Sequence, residues 1–486
     1  MRGTSVEVTD WASARHRTAI SRAALSVPAR QALLDGVMSR EHTVLDYGAG
    51  RGLDTKRLSA LGFRVHAWDP HFAGDSEPVE SDVVMMLYVL NVIEDPAERV
   101  RTLAHAWALT RSVLVVSARL VWDARRVSGD SIADGVMTSR GTFQHLYKTE
   151  ELRRQVEQVT GVRGFVAAPG VVYAFRDDSS RMSLIARRTM PSVEWAQTSS
   201  GTEAIAEVVR FIEVSGRPPV FEELPADYLE PLAAMPWSRL LRQARAAANP
   251  ELVASGQRRS TLDTLLFLGI EIFNGRGRLS SMPLQVQENI RRFFDSFKQA
   301  CARADRLLLK IRDDAYVRGA MRNSVGKLTP SALYVHRRAV DHMPVVLRLY
   351  EHCGSVAAGR PADYDILKLG HVGRLVSWLG YPDFDRDPHP KTAWSYSVDM
   401  ATLNTRYTSF EDRSNRPLLH RKEEFLHSED PDVPKYSRLT RSEVKAGLYA
   451  SPHTIGTEQG WQAELDRLGW SLRGHRLVRA QAKSDG

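Results

Sequence analysis

Residues 43–58 read TVLDYGAGRGLDTKRL, a β-rich run at Thr43–Tyr47, a cluster of three glycines, and then a helical pattern. A strand that runs through glycines into a helix is the place where a nucleotide-type ligand binds, because glycine lets the backbone turn sharply and the new helix presents unpaired N–H groups. Around this stretch, up to about residue 190, short β-rich runs alternate with helical ones, as a parallel sheet with crossover helices requires. The strand candidates are TVLDY, FRVHAWD (63–69), DVVMMLYVL (82–90) and SVLVVSAR (112–119). LDTKRLSAL and DPAERVRTLAHAWALT read as helices, the second opened by Asp95 as N-cap and Pro96 in the first turn. GVRGFVAAPGVVYAFR (161–176) and MSLIARR (182–188) are expected to close the sheet as a late antiparallel hairpin.

The chain of 486 residues is too long for one core and predicts two or three domains. Residues 191–202 read as a linker, and residues 191–328 as a mainly helical region in which LQVQENIRRFFDSFKQACARADRLLLKIR forms one long helix. From 329 to 486 the chain is rich in Pro, His, Tyr and Trp, which suits an α+β module. The fold class is therefore α/β for residues 1–190, followed by the helical region and the C-terminal module. With 43% hydrophobic and 26% charged residues and no apolar run long enough to span a bilayer, no membrane role is expected. The N-terminus shows no signal peptide, and two cysteines without a CxxC pair fit a reducing cytoplasm. The net charge of +8 divides into +3 for residues 1–190 and +5 for the rest, a diffuse excess that permits an anionic partner without demanding one.

The spacing of the glycines separates the nucleotide-type ligands. The cluster is GxGxG after Asp46, where a dinucleotide loop uses GxGxxG, and the lysine of a triphosphate-binding loop is absent. Asp69 ends the next strand and would emerge beside the loop, where a carboxylate can accept both hydroxyls of a ribose. VLDYGAGRG resembles the first motif of class I S-adenosylmethionine-dependent methyltransferases, which implies a Rossmann-like domain in residues 1–190. In that resemblance Asp46, Tyr47, Gly48, Gly50 and Gly52 form the loop around the cofactor and Asp69 holds the ribose. Leu90 and Asn91, in LYVLNVIEDP at the following strand end, would line the methyl group and substrate. Asn91 and Glu94 are the candidate catalytic residues, Asn91 orienting a nucleophile and Glu94 acting as base, while Asp95 also suits a simple helix cap. Only PHFAGDSEPVES separates Asp69 from the next strand, so a helix and a strand usual in this fold are expected to be missing or shortened to that stretch, which implies a compact variant and leaves the adenine pocket unassigned.

Taken together, HRTAISRAALSVPAR, LDYGAGRGLD, AWDPHF, LYVLNVIEDPAER and TSRGTFQHLY, continued by LYVHRRAV, YPDFDRDPHP, LLHRKEEFL and IGTEQGW, look like the bacterial DNA phosphorothioation-associated putative methyltransferases. That resemblance implies a bacterial cytoplasmic protein of a DNA modification or defence system, with S-adenosylmethionine as cofactor, DNA or another nucleic acid as partner, and proteins of that system as further partners. The alternatives are a non-catalytic cofactor- or DNA-binding component and a small-molecule methyltransferase.

Other residues offer narrower expectations. HRTAISR (16–22) would lie where a cap over the cofactor sits. Residues 129–147 suit a mobile loop in which Arg140, Thr142, Phe143 and Gln144 contact a planar acceptor. His336, His371, His389 and His420, and Asp383, Asp385 and Asp387, match no zinc or calcium spacing, so no metal is expected. Arg413, Arg416, His420, Arg421 and Lys422 form the densest basic stretch, either a phosphate contact or a salt-bridged face beside Glu423 and Glu424.

Overall fold

The computed structural model describes residues 11–18, 24–72, 76–127, 129–190, 193, 195–197, 200–232 and 235–480. After helix α1 (Val27–Leu34) the chain forms β1 (Thr43–Tyr47), α2 (Leu53–Ala60), β2 (Arg64–Trp68), β3 (Ser81–Leu87), α3 (Pro96–Ala108) and β4 (Thr110–Ser117). A small antiparallel sheet of β5 (Gly129–Ile132), β6 (Gly135–Thr138) and β7 (Phe143–Gln144) precedes α4 (Thr149–Thr160). The hairpin of β8 (Gly164–Ala168) and β9 (Val171–Phe175) and then α5 (Asp178–Thr189) follow.

The main sheet has the order β2-β1-β3-β4-β9-β8, with β1 to β4 parallel, β9 antiparallel to β4, and β8 antiparallel to β9 and so again in the direction of β1 to β4. This is a Rossmann-like arrangement, and its central strands are buried on both faces, which is why DVVMMLYVL reads as a continuous apolar run. The chain passes from β2 over β1 to β3, and the described residues between them, 69–72 and 76–80, hold no helix. β1 therefore lies at the switch point, the position where open α/β sheets bind ligands at the carboxyl ends of their strands. At the opposite end Asp82 takes the backbone N–H (2.8 Å) and hydroxyl (2.7 Å) of Thr43, pinning β1 against β3.

Two expected elements differ. MSLIARR lies inside α5 rather than in a strand: Asp177 caps it by accepting from the Ser180 N–H, and Met182, Ile185, Ala186 and Thr189 are buried at helical spacing. The long helix expected from Leu284 is broken into two, Leu284–Phe293 and Phe297–Lys310, because Ser296 is extended and caps the second piece through the Gln299 N–H. The expected linker at 191–202 lies partly outside the described residues.

The middle of the chain supplies α6 (Gly201–Ser215), α7 (Leu229–Leu232), α8 (Trp237–Ala247), α9 (Pro250–Glu271), α10 (Leu284–Phe293), α11 (Phe297–Lys310) and α12 (Asp314–Arg322). A second sheet then runs as a meander of β10 (Lys327–Leu328), β11 (Ala332–His336), β12 (Ile366–Gly370), β13 (Leu375–Gly380), β14 (Trp394–Asp399) and β15 (Thr405–Ser409), every neighbour antiparallel. Helix α13 (Val345–Ala358) packs Val346, Leu347 and Tyr350 onto it. The chain closes with α14 (Val433–Lys445), α15 (Glu458–Leu468) and the hairpin β16 (Trp470–Leu472) and β17 (Leu477–Arg479).

The regions share cores. Met182, Ile185 and Met190 of the first region pack with Leu266 and Ile270 of α9 and with Leu349 of α13. Two buried guanidiniums fasten this junction: Arg348 reaches Asp263 (2.6 Å) and the Thr189 carbonyl (2.9 Å), and Arg181 makes a two-bond pair with the fully buried Glu271 (2.7 and 3.2 Å). Removing one partner of such a pair strands a buried charge, so Glu271→Ala should cost about 3–5 kcal/mol, read as a lowered urea midpoint in equilibrium unfolding.

Candidate cofactor site

The glycine loop is built onto the end of β2. The N–H groups of Gly48 and Ala49 both donate to the Trp68 carbonyl (2.8 and 3.0 Å), and the Gly50 N–H donates to Asp69 Oδ2 (2.9 Å). Asp69 Oδ1 accepts from the N–H groups of His71 and Phe72 (2.9 and 3.0 Å). One carboxylate thus joins the loop to the turn that follows β2, and Oδ2 keeps an acceptor position toward solvent. Gly48 has φ +76°, and a Cβ there would stand 2.4 Å from Val89 Cγ2, so only glycine brings the loop this close to the turn after β3. Gly52 begins α2 in a left-handed conformation and offers no side-chain cap to the Leu53 and Asp54 N–H groups, while Asp46 takes a backbone hydrogen bond from Thr55.

Under the loop lies Asp46, buried and accepting from the Thr55 hydroxyl at 2.7 Å. Burial pushes its carboxyl up to about 6, against the opposing pull of that hydrogen bond. Tyr47 continues the floor, its ring 4.7 Å from that of Trp68 and its hydroxyl 3.0 Å from His105 Nδ1. A cleft of about 620 Å³ opens above, between Asp46–Gly50, Asp69–Phe72 and the Tyr88–Val89 turn. Tyr88 has φ +59°, a strained backbone for a bulky residue, placed where β3 turns into the cleft.

The Trp11–Thr18 turn closes one side. Arg15 donates to Glu94 (3.0 and 2.7 Å) and to Glu98 (2.5 and 2.8 Å), and holds the Glu98 carboxyl below its ordinary range. His16 stacks on His71 at 4.1 Å, with the Phe72 ring edge-on to His71. The segment expected as a cap is described only as far as Thr18, and Arg15 carried no local signal because its partners lie 79 and 83 residues away.

The predicted residues therefore divide. Asp46, Tyr47, Gly48, Gly50 and Asp69 line the cleft, and Gly52 starts the helix beneath it. Leu90 and Asn91 do not reach the cleft. Leu90 is fully buried in the core beneath α3, and Asn91 is a brace whose side chain faces Gln144 (3.4 Å) and the Arg119 N–H (3.4 Å) while its carbonyl takes the His145 N–H (2.8 Å). The geometry thus points away from both as cleft contacts, because the chain turns at Tyr88 and drives Leu90 and Asn91 inward. Glu94 is an ion-pair partner of Arg15, and Asp95 caps α3 through the Ala97 N–H (2.9 Å).

In the segment 129–147 the first part is largely exposed and the end, residues 142–145 and 147, is held inward. Thr142, Phe143 and Gln144 are buried, and Asp134 takes two bonds of 2.7 Å from Arg99, leaving only Arg140 exposed among the four proposed contacts. In the C-terminal region burial pushes His336 and His420 down to about 3, so both are neutral imidazoles; His389 is 2.7 Å from Glu443. Most of the basic stretch is consumed by the fold. Lys422 is buried and donates to the carbonyls of Phe384 (2.5 Å) and Asp387 (2.7 Å), Arg416 donates to the Thr392 carbonyl, and Arg421 pairs with Glu424. Among the described residues no group of three His, Cys, Asp or Glu could hold a metal ion, and no helix is long and apolar enough to cross a membrane.

No family model and no curated protein matches the chain. Among solved structures, Burkholderia thailandensis 1,6-didemethyltoxoflavin-N1-methyltransferase, crystallised with 1,6-didemethyltoxoflavin and S-adenosylhomocysteine, is similar at 19% identity. The likeness covers 30% of this chain and 76% of that one with a TM-score of 0.23, too low to bear on the site.

The buried acid gives a pH-dependent expectation. Asp46 binds its proton more tightly folded than unfolded, so its contribution falls as pH rises from the ordinary 3.8 through about 6. Above pH 7 the charged form opposes folding by about 3 kcal/mol at most, from roughly two pKa units. Asp46→Asn should therefore raise the melting temperature at pH 8 and change it little below pH 4, as followed by circular dichroism.

Proposed function

We propose that the cleft over Gly48–Gly50 binds S-adenosylmethionine and that the protein is a methyltransferase. The observation that carries this reading is the Asp69 carboxylate, which ends β2 at the switch point, fastens the Gly50 N–H, and still has an acceptor position on the cleft side. The residues fit the cofactor. A cleft of about 620 Å³ lies within the range for ligands of this size, Asp69 suits ribose hydroxyls, and Asp46 with the uncapped Leu53 and Asp54 N–H groups of α2 suits the charged amino-acid end. The bound cofactor would supply an electrophilic methyl group for in-line displacement by a nitrogen, oxygen or sulfur nucleophile. The work of the protein is then alignment and exclusion of water, which the glycine loop, the Tyr88–Val89 turn and the Arg15-anchored segment provide.

Following the motif resemblance, the acceptor is placed in nucleic acid, foremost DNA, within a bacterial DNA modification or defence system associated with phosphorothioation. The test is calorimetric binding of S-adenosylmethionine, followed by transfer of labelled methyl to DNA, RNA and a metabolite extract. Asp69→Asn should weaken binding by about tenfold or more, since bonds to a charged acceptor contribute roughly 1.5–3 kcal/mol each. Unaltered binding in that variant together with no labelled acceptor would sink the enzyme reading. Tight binding without transfer would instead assign a cofactor-sensing component.

A further inference from the structure

The larger cleft lies elsewhere. About 1230 Å³ opens where α4 and β8, at the far edge of the first sheet, meet the end of α9, α13 and the turn between β14 and β15. It shares no lining residue with the glycine-loop cleft, and β8 stands four strands from β1, about 19 Å at the usual strand spacing. A ligand here is therefore separate from the cofactor.

Six cations line this cleft, Lys148, Arg153, Arg154, Arg163, Arg188 and Arg360, against the carboxylates of Glu150 and Glu157. Arg153 and Arg154 are paired with those two glutamates, Arg188 with Asp35, and Arg163 gives one N–H to the Phe273 carbonyl. Arg360 differs. Its side chain, 23% exposed, lines the cleft, and its Nη1 stands 3.7 Å from one oxygen of the fully buried Glu351, whose other oxygen takes the Ser355 hydroxyl (3.1 Å) and the Trp378 Nε1–H (3.2 Å). Among the described residues Arg360 makes that ion contact and no hydrogen bond, so its planar fork of N–H donors is left for the cleft. Its place is rigid, since Gly359, with φ +77°, abuts the β8–β9 turn so closely that a Cβ would come within 2.4 Å of the Ala168 carbonyl carbon. Lys148, exposed at the rim, has no ion-pair partner among the described residues.

We propose that this cleft binds a single strand of nucleic acid through its phosphodiester backbone, with Arg360 taking one phosphate by its fork and Arg163 and Lys148 the neighbouring ones. Arginine forks recognise phosphate bidentately, and the cleft exceeds the roughly 300–1,000 Å³ of small-molecule pockets, which favours a polymer segment over one small anion. Arg360 is a partly buried side chain in a cleft lined by two regions, and a single strand, slimmer and more flexible than a duplex, is the occupant that suits such a contact. The inference stands on this cleft alone and does not depend on methyl transfer.

The experiment uses the full chain and fluorescent oligothymidylates of graded length, titrated by anisotropy over a series of salt concentrations. Affinity should rise with length, and three phosphate contacts at roughly 0.7 each predict a log–log salt slope of about −2. Lys148→Gln should reduce that slope by about 0.7. Arg360→Lys, which keeps a charge beside Glu351, should weaken binding several-fold with an unchanged melting temperature. Arg242→Gln, on the exposed face of α8 outside the cleft, should leave both quantities unchanged. Unaltered affinity and slope in both cleft variants, or an equal loss in Arg242→Gln, would overturn the proposal. Thymidine triphosphate matching the strand would replace it with a small-anion site, and polyglutamate displacing the strand equally well would replace it with an acidic polypeptide. S-adenosylmethionine affinity measured on the same variants should not change, which separates failure here from failure at the first cleft.

Discussion

The Asp69 carboxylate is the interaction on which the candidate cofactor site depends. It accepts the N–H groups of Gly50, His71 and Phe72, and so fixes in one place the loop after β1 and the turn after β2. Without that bridge the loop would keep its two bonds to the Trp68 carbonyl, but the turn at residues 71 and 72 would lose its side-chain tie to the loop. The same side chain that would meet a ribose therefore also builds the surface that receives it. Charge at the site is arranged in layers, with buried Asp46 below, Asp69 at the rim, and Arg15 bridging Glu94 and Glu98 at the side.

The three regions of the chain are joined through buried charge as well as apolar packing. Arg181 with Glu271 and Arg348 with Asp263 tie α5 and α13 to α9 in a shared core, and Trp122 from the first region lies against Tyr407 and Tyr396 of the second sheet. Burying ionic groups adds little net stability over apolar packing, but stranding one partner of such a pair is strongly penalised. The second cleft is a consequence of this joining, because its walls come from α4 and β8, from the end of α9, and from α13 with the β14–β15 turn.

Much of the first region was legible. The alternation of apolar runs with helical ones located β1 to β4, and Asp95 with Pro96 marked the start of α3, since caps and strand periodicity are local properties. The errors arose where local pattern was ambiguous. MSLIARR is short and apolar enough for a strand, and only its cap at Asp177 and its burial against α9 decide for a helix. Likewise the residues from Leu284 keep helical spacing through a break that Ser296 makes by capping. Among site residues, LYVLNVIEDP correctly pointed to the end of β3, but which of its side chains face the cleft depends on the positive φ at Tyr88.

By itself the sequence determined the parallel sheet, the glycine loop at a strand end and the acid at the end of the next strand, because each is written in neighbouring residues or in a spacing of about twenty. Tertiary structure alone decided that Arg15 pairs with Glu94 and Glu98, that Asn91 turns inward to Gln144, and that Arg360 stays open to a cleft with Glu351 behind it. Those outcomes depend on contacts between residues far apart in the chain and on which charges find a partner when the regions close. A side chain's partner across such distances leaves no periodicity to read.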